Sequence, residues 1–322
     1  MPIYVGVVAP TPPPPVTPPP PVMVPEVGYA SISYIDPHGT VWPMTDQCRG
    51  YYALAEGVSG LGAAPVTLTT DPLPRGGVKL RHVQPQARTI VWPVHVQAAT
   101  HQDFVDLWRS LGKAFTDTLR YGPGTLEIAR PDGRRRQIRV RYQEGWEGLG
   151  QAGTGISWDN AVVTLLAEDP YYFDPEPVTV TLTTGTPADF LNPYLTVSSA
   201  EVLGSTTITN PGDVDAWPSW TITGPATLAT ITRNDTGEAF VLDPNATGIG
   251  HGNLLLGQSV TVTTDPPSVR YQDGTNWIGS LNWPSAVLWG LQPGENDLTI
   301  EVDGAGTGSE VTLTFYARYE MA

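Results

Sequence analysis

The sequence predicts a mainly β protein with two folded units behind a proline-rich arm. Three observations carry that expectation. Gly and Pro are abundant, 34 and 33 of 322 residues, while only 15% of the chain is charged, so turns are frequent and long solvated helices few. Apolar residues recur at period two from "YASISYID" near residue 30 to "VTLTFYARY" near the end. One stretch alone carries a clear helical period. The expected organisation is an arm over 1–26, a first domain over 27–175 and a second over 176–322, each domain long enough to bury a core.

Residues 10–25, "PTPPPPVTPPPPVMVP", can enter neither helix nor ladder, because proline lacks the backbone donor and fixes φ. They read as polyproline II, a semi-rigid spacer, and Ile3–Val8 ahead of them could add a strand to a neighbouring subunit. After the arm come "YASISYID" and "GTVWPM" around the turn "DPHG", then "VTLTT", "GVKLRHV" and "RTIVWPVHVQ" as strands. The helix is expected near 101–119: Phe104, Leu107, Trp108, Leu111 and Phe115 fall on one stripe, and Thr100 can cap its start. "GTLEIA" and "RRRQIRVRYQEGW" form a hairpin around Asp132-Gly133, and "ISWDNAVVTLLAED" supplies a further strand. Beyond residue 176 about eight or nine short, turn-separated strands predict an antiparallel β-sandwich.

The net charge of −15 is uneven: 14 basic against 16 acidic residues lie in 1–175, whereas 176–322 carries only Arg233, Arg270 and Arg318 against 16 acids. The acidic second half repels nucleic acid and anionic membrane. A lone cysteine, Cys48, excludes an internal disulfide and a multi-thiolate metal site, and reads as a small core residue. The five histidines form no His-x-His or His-x-x-x-His pair, "EVDGAGTGSE" lacks the acids of a calcium loop, and "GVSGLG" is not a nucleophile elbow. No basic leader with a long apolar stretch and no membrane-length apolar run is evident, so the chain reads as soluble and non-secreted, without cofactor or metal.

Three groups of residues remain as candidates. The segment "LLAEDPYYFDPEP" ends a buried strand and places Asp169, Pro170, Tyr171, Tyr172, Phe173 and Asp174 between the two domains. It is read as a stiff joint, its prolines stopping the ladder, its rings packing against one domain or both and its acids pairing with arginines; a glycosidase-like acid pair is the weighed alternative. Alternation along the basic strand sets Arg135, Arg139 and Arg141 on one face, a candidate intersubunit contact. Trp277 and Trp283 lie in or near loops and are candidate sugar-stacking platforms.

The succession "THQDFVDLWRSLGKAF", "GTLEIARPDGRRRQIRVRYQEG" and "VVTLLAEDPYYFDPE" resembles the distal tail protein (Dit) family of long-tailed, non-contractile bacteriophages over about residues 50–177. "NPGDVDAWPSWTITGP" and "LWGLQPGENDLTIEVDGAGTGSEVTLTFYARY" are similar to the second domain of such minor tail proteins. The resemblance implies a split-barrel-like N-terminal domain with one helix and a galectin-like C-terminal sandwich. It implies a non-enzymatic virion protein, a ring that is commonly a homohexamer, joining the tail tube protein to the baseplate or tail-tip hub. Contact with cell-wall glycan or a host receptor is the alternative role. The proline-rich arm departs from the family pattern.

Overall fold

The computed structural model describes residues 30–148, 156–183 and 201–322. The arm over 1–26 lies outside the described residues.

A curled sheet follows the order β2-β1-β7-β8-β9-β6-β3, built from β1 (Ser31–Ile35), β2 (Val41–Pro43), β3 (Tyr51–Ala53), β6 (Arg88–Gln97), β7 (Gly124–Ala129), β8 (Arg135–Gly145) and β9 (Trp158–Ala167). The long strand β8 pairs with β7 through Val140 and with β9 from Arg141 onward, with a bulge between Tyr142 and Glu144. Bulges bend and twist a strand, so one strand serves two ladders and the sheet curls. The β7–β8 turn forms at Asp132-Gly133 as the sequence predicts: Gly133 has φ 89° and Arg134 N–H donates to the Asp132 carboxylate at 3.0 Å.

Helix α1 (His101–Thr116) lies against this sheet. Thr100 caps it, accepting from Asp103 N–H at 3.2 Å, and Asp103 suits the positive end of the helix dipole. Of the predicted stripe, Phe104, Trp108, Leu111 and Phe115 are fully buried. At about 2–3 kcal/mol for each large apolar side chain, that stripe supplies much of what holds helix to sheet. A short helix α2 (Thr118–Tyr121) follows, and the buried Thr118 hydroxyl accepts from Tyr142 N–H at 2.8 Å.

The second half is a two-sheet antiparallel sandwich. One sheet runs β11-β19-β13-β16-β17, from β11 (Val178–Thr183), β13 (Ser219–Thr223), β16 (Ser259–Thr263), β17 (Ser268–Tyr271) and β19 (Glu310–Phe315). The facing sheet runs β12-β18-β14-β15, from β12 (Glu201–Asn210), β14 (Leu228–Arg233), β15 (Ala239–Leu242) and β18 (Gly294–Asp303). Inward residues such as Trp220, Ile222, Val260, Val311, Ile231, Phe240 and Ile300 form one apolar core, while their neighbours along each strand are partly exposed. "EVDGAGTGSE" is the turn joining β18 to β19.

Cys48 corrects the sequence reading. It is exposed, because Asp46 accepts from its backbone N–H at 3.1 Å and caps a surface 3-10 turn over Gln47–Arg49.

Candidate functional site

The segment after β9 does not simply cross from one unit to the next. Pro170 breaks the ladder, but pairing resumes at once: Tyr172 and Phe173 form β10, whose Phe173 pairs with Gln137 of β8 on one side, while both residues pair with β20 (Arg318–Tyr319) on the other. The prolines therefore interrupt the sheet without ending it, a correction to the expectation that they stop pairing. Strand β20 follows the sandwich strand β19 and returns to the first sheet, where Ala317 and Tyr319 join its core.

Around this junction every acid of "AEDPYYFDPE" meets an arginine. Glu168 takes Arg141 at 3.0 Å, Asp169 accepts both contacts of Arg318 at 2.6 and 2.7 Å, Asp174 takes Arg136 at 3.0 Å, and Glu176 lies 4.0 Å from Arg135. Glu168, Asp169 and Asp174 thus accept hydrogen bonds from guanidinium groups, while the exposed Glu176 stands only at ion-pair distance from Arg135. Among the described residues no cluster of His, Cys, Asp and Glu could hold a metal ion.

The three aromatic side chains take different roles. Tyr172 is fully buried, donates from its hydroxyl to Leu61 O at 3.2 Å, and lies 5.0 Å beneath the Arg88 guanidinium. Burial holds its hydroxyl pKa above the ordinary tyrosine value. Arg88, itself 1% exposed, donates to the carbonyls of Pro170, Gly60, Gly62 and Glu320, tying three chain segments together. Tyr171 lies 4.8 Å under Arg318, which also donates to Asp215 O at 3.0 Å. Phe173 lies 5.3 Å from the Arg139 guanidinium and meets Tyr316 edge-on at 6.1 Å.

The arginine face divides. Arg135 sits 3.5 Å from the buried Glu127 and Arg141 donates to Glu168 and to Thr118 O, so both have partners within the chain. Arg139 is the exposed member of the three. Arg136, on the opposite parity, is buried, and the sequence reading gave it no role.

Of the two candidate sugar platforms, Trp277 is corrected: it is 4% exposed and stacked on Tyr271 at 4.6 Å and 7°, so its ring is core. Trp283 is 51% exposed. Two exposed indoles lie outside that pair: Trp158, 57% exposed, and Trp217, 40% exposed beside Tyr171 and Arg318. The direction of Trp217 was legible: burial alternates without a break from Ala216 to Ile222, so an inward Trp220 requires an outward Trp217.

A second surface stands apart. Among the described residues, strands β4 (Val66–Pro72) and β5 (Val78–Pro85) pair only with each other, and all their residues except Asp71 are exposed. Register sets Leu68 opposite Val83, Thr70 opposite Leu80 and Pro72 opposite Val78, with a shift between Thr69 and Thr70 that leaves Arg81 unpaired in the ladder. Leu80 and Val83 are three residues apart and would point to opposite faces of a regular strand; the bulge returns them to one face. Val66, Leu68, Val78, Leu80 and Val83 therefore form a continuous apolar face, while Thr67, Thr69, Asp71, Lys79, His82 and Gln84 line the other.

No protein-family model matches the chain, and no curated protein sequence does. Solved structures do. The crystal structure of the SPP1 Dit protein (gp 19.1), described as a paradigm of the hub adsorption apparatus in phages infecting Gram-positive bacteria, superposes with a TM-score of 0.60 at 16% identity, over 90% of this chain and 98% of that one. Chains of the phage P2 baseplate in its activated conformation match at TM-scores of 0.53 with calcium and 0.54 with strontium, at 10% identity, over 91 and 92% of this chain and 99 and 100% of those chains. The fold is thus that of a phage distal tail protein.

Proposed function

We infer that this protein is a structural component of a phage tail tip, a ring subunit joining the end of the tail tube to the baseplate or hub, and that it works by assembly without catalysis. The fold it shares with the SPP1 Dit hub protein and the P2 baseplate chains supports the tail-tip role. The observation that carries the assembly reading is the β4–β5 hairpin. An isolated two-stranded hairpin is marginal in water, and this one exposes Val66, Leu68, Val78, Leu80 and Val83 by 44 to 62% on a single face. A second surface that covers this face removes the cost of its exposure. A closed ring supplies one: each subunit offers a projecting element and receives its neighbour's on a different surface. Arg139, exposed on β8, is a candidate polar contact at that receiving side. The number of subunits in the proposed ring is six, as the resemblance implies, and its partners are the tail tube protein and the hub.

Contact with cell-wall glycan is the weaker reading. Of the two candidate platforms Trp283 is the one that is exposed, with its indole N–H donating to Ile278 O at 2.9 Å.

Location is tested by immunogold labelling of intact phage particles with antibody to this chain. Label confined to the tail tip is the expected result; label on the head or along the tail, or on no particle, contradicts the reading.

A further inference from the structure

Between the sandwich and the first sheet lies a cleft of about 220 Å³ whose walls carry Phe173, Tyr316, Trp217 and Tyr171, with Arg139 and Asp265 among its lining. A second hollow of about 460 Å³ adjoins it across Tyr171, Trp217 and Arg318. Together they reach the size of a small-ligand site. Two of the rings are open to solvent, Trp217 at 40% and Tyr316 at 44% exposure. Both are held in place: the six-membered ring of Trp217 rests against Gly290, where a Cβ would lie 3.4 Å from it, and Tyr316 and Phe173 meet edge to face. Trp217 is thus a fixed platform and not a swinging side chain.

The polar groups around these rings are uncommitted. Among the described residues the Arg139 guanidinium touches only the Phe173 ring, and the Asp265 carboxylate, the Trp217 indole N–H and the Tyr316 hydroxyl have no hydrogen-bonding partner. The rest of the junction differs: Asp169 holds Arg318, and Asp174 holds Arg136. The other exposed indoles differ too, since the Trp283 N–H is taken by Ile278 O and the Trp158 ring stacks on His95.

A ligand for this cleft must offer apolar C–H faces to the rings and groups that both donate and accept, because Asp265 needs a donor and Arg139 an acceptor. Sugar hydroxyls do both, and a pyranose presents its C–H bonds to an aromatic face. Charge narrows the class. Arg139 and Asp265 cancel, Asp169 neutralises Arg318, and Asp213 and Asp215 line the adjoining hollow. The surface is therefore acidic in balance and repels polymers of phosphate or uronate.

We propose that the cleft between Trp217 and Tyr316 is a binding site for a neutral saccharide, one pyranose stacking on Trp217 with its hydroxyls held by Arg139 and Asp265. Further sugar units continue into the adjoining hollow. Arg139 belongs to β8 of the first sheet and Asp265 to the turn between β16 and β17 of the sandwich, so the site exists only where the two units meet. It rests on the glycan-contact reading and not on the ring, and it moves that contact from Trp283 to Trp217.

The test is binding of the full chain to an array of neutral oligomers of glucose, galactose, mannose and N-acetylglucosamine, with oligogalacturonate and poly(glycerol phosphate) as anionic members, followed by titration of the best ligand. The native chain is expected to bind a neutral member, Trp217→Ala to bind it at least about tenfold more weakly, and Trp217→Phe to recover part of the loss. Arg139→Ala and Asp265→Asn, both at exposed positions, are each expected to weaken binding severalfold, and they carry the test if Trp217→Ala does not fold. Trp283→Ala is expected to bind as the native chain does. No binding to any member overturns the proposal together with the glycan reading. Binding that Trp283→Ala abolishes and Trp217→Ala does not overturns the proposal alone. Preference for the anionic members overturns it as well. A Trp217→Ala chain that binds sugar as the native chain does but no longer assembles makes the cleft a protein contact, and that too overturns it.

Discussion

The guanidinium carbon of Arg136 lies 3.5 Å from the centre of the Tyr319 ring, and both side chains converge on one carboxylate, Asp174, at 3.0 and 3.1 Å. Arg136 belongs to β8 of the first sheet, Tyr319 to the strand that follows the sandwich, and Asp174 to the segment between the two. This cluster links the three chain segments at the joint.

Replacement of Arg136 by Leu is expected to lower stability by about 2–4 kcal/mol, because it removes a buried cation from both its carboxylate and its ring. Tyr319→Phe keeps the ring and loses only the hydrogen bond to Asp174, for about 1 kcal/mol. Denaturant unfolding followed by tryptophan fluorescence measures both. Equal losses in the two variants would contradict the ring contact.

Arg88 is expected to be still more sensitive. Arg88→Met leaves the carbonyls of Gly60, Gly62, Pro170 and Glu320 without their donor in a buried site, and a loss of about 3–5 kcal/mol follows. Limited proteolysis should then cut within 168–177, where the native chain is expected to resist. A variant as resistant as the native chain would show that Arg88 does not hold the joint.

Acid should loosen the β1–β2 hairpin. Burial alone pushes the Asp36 carboxyl up, but bonds from Thr40 N–H, Trp42 Nε1–H and His38 N–H outweigh it and hold the group below its ordinary 3.8. The unfolded chain therefore binds this proton more readily than the folded one. The stabilisation is complete above the ordinary value and is lost as pH falls through the lower folded one. Asp36→Asn should flatten this part of the acid limb in thermal melts between about pH 5 and 2. An unchanged limb would contradict the assignment.

Much of this was readable in the sequence because it is local. The α1 stripe, the Asp132-Gly133 turn and the inward positions of the sandwich strands all follow from periodicity and turn chemistry over a few residues. What escaped was long-range or parity-breaking. Pairing of β20 with β10 joins Tyr172 to Tyr319 and Phe173 to Arg318, 147 and 145 residues apart, and no local pattern announces it. The clue was chemical: Arg318 is one of only three basic residues after 176, and such an arginine needs a carboxylate partner when its strand returns to a packed sheet. The apolar face of β4–β5 was hidden by its bulge, since strict alternation from Leu80 assigns Val83 to the wrong side. Trp277 misled because loop sequence suggested exposure, whereas its indole lies flat on Tyr271 in the core.

The most direct test of the assembly account is the mass of the purified chain in solution beside that of a Leu68→Asp, Leu80→Asp double variant, by light scattering with negative-stain imaging. Both positions are more than half exposed in the single chain, so the substitutions should leave its melting temperature nearly unchanged. The account predicts a closed ring with a central hole for the native protein and single chains for the variant. Single chains in both, or the same ring in both, would contradict it.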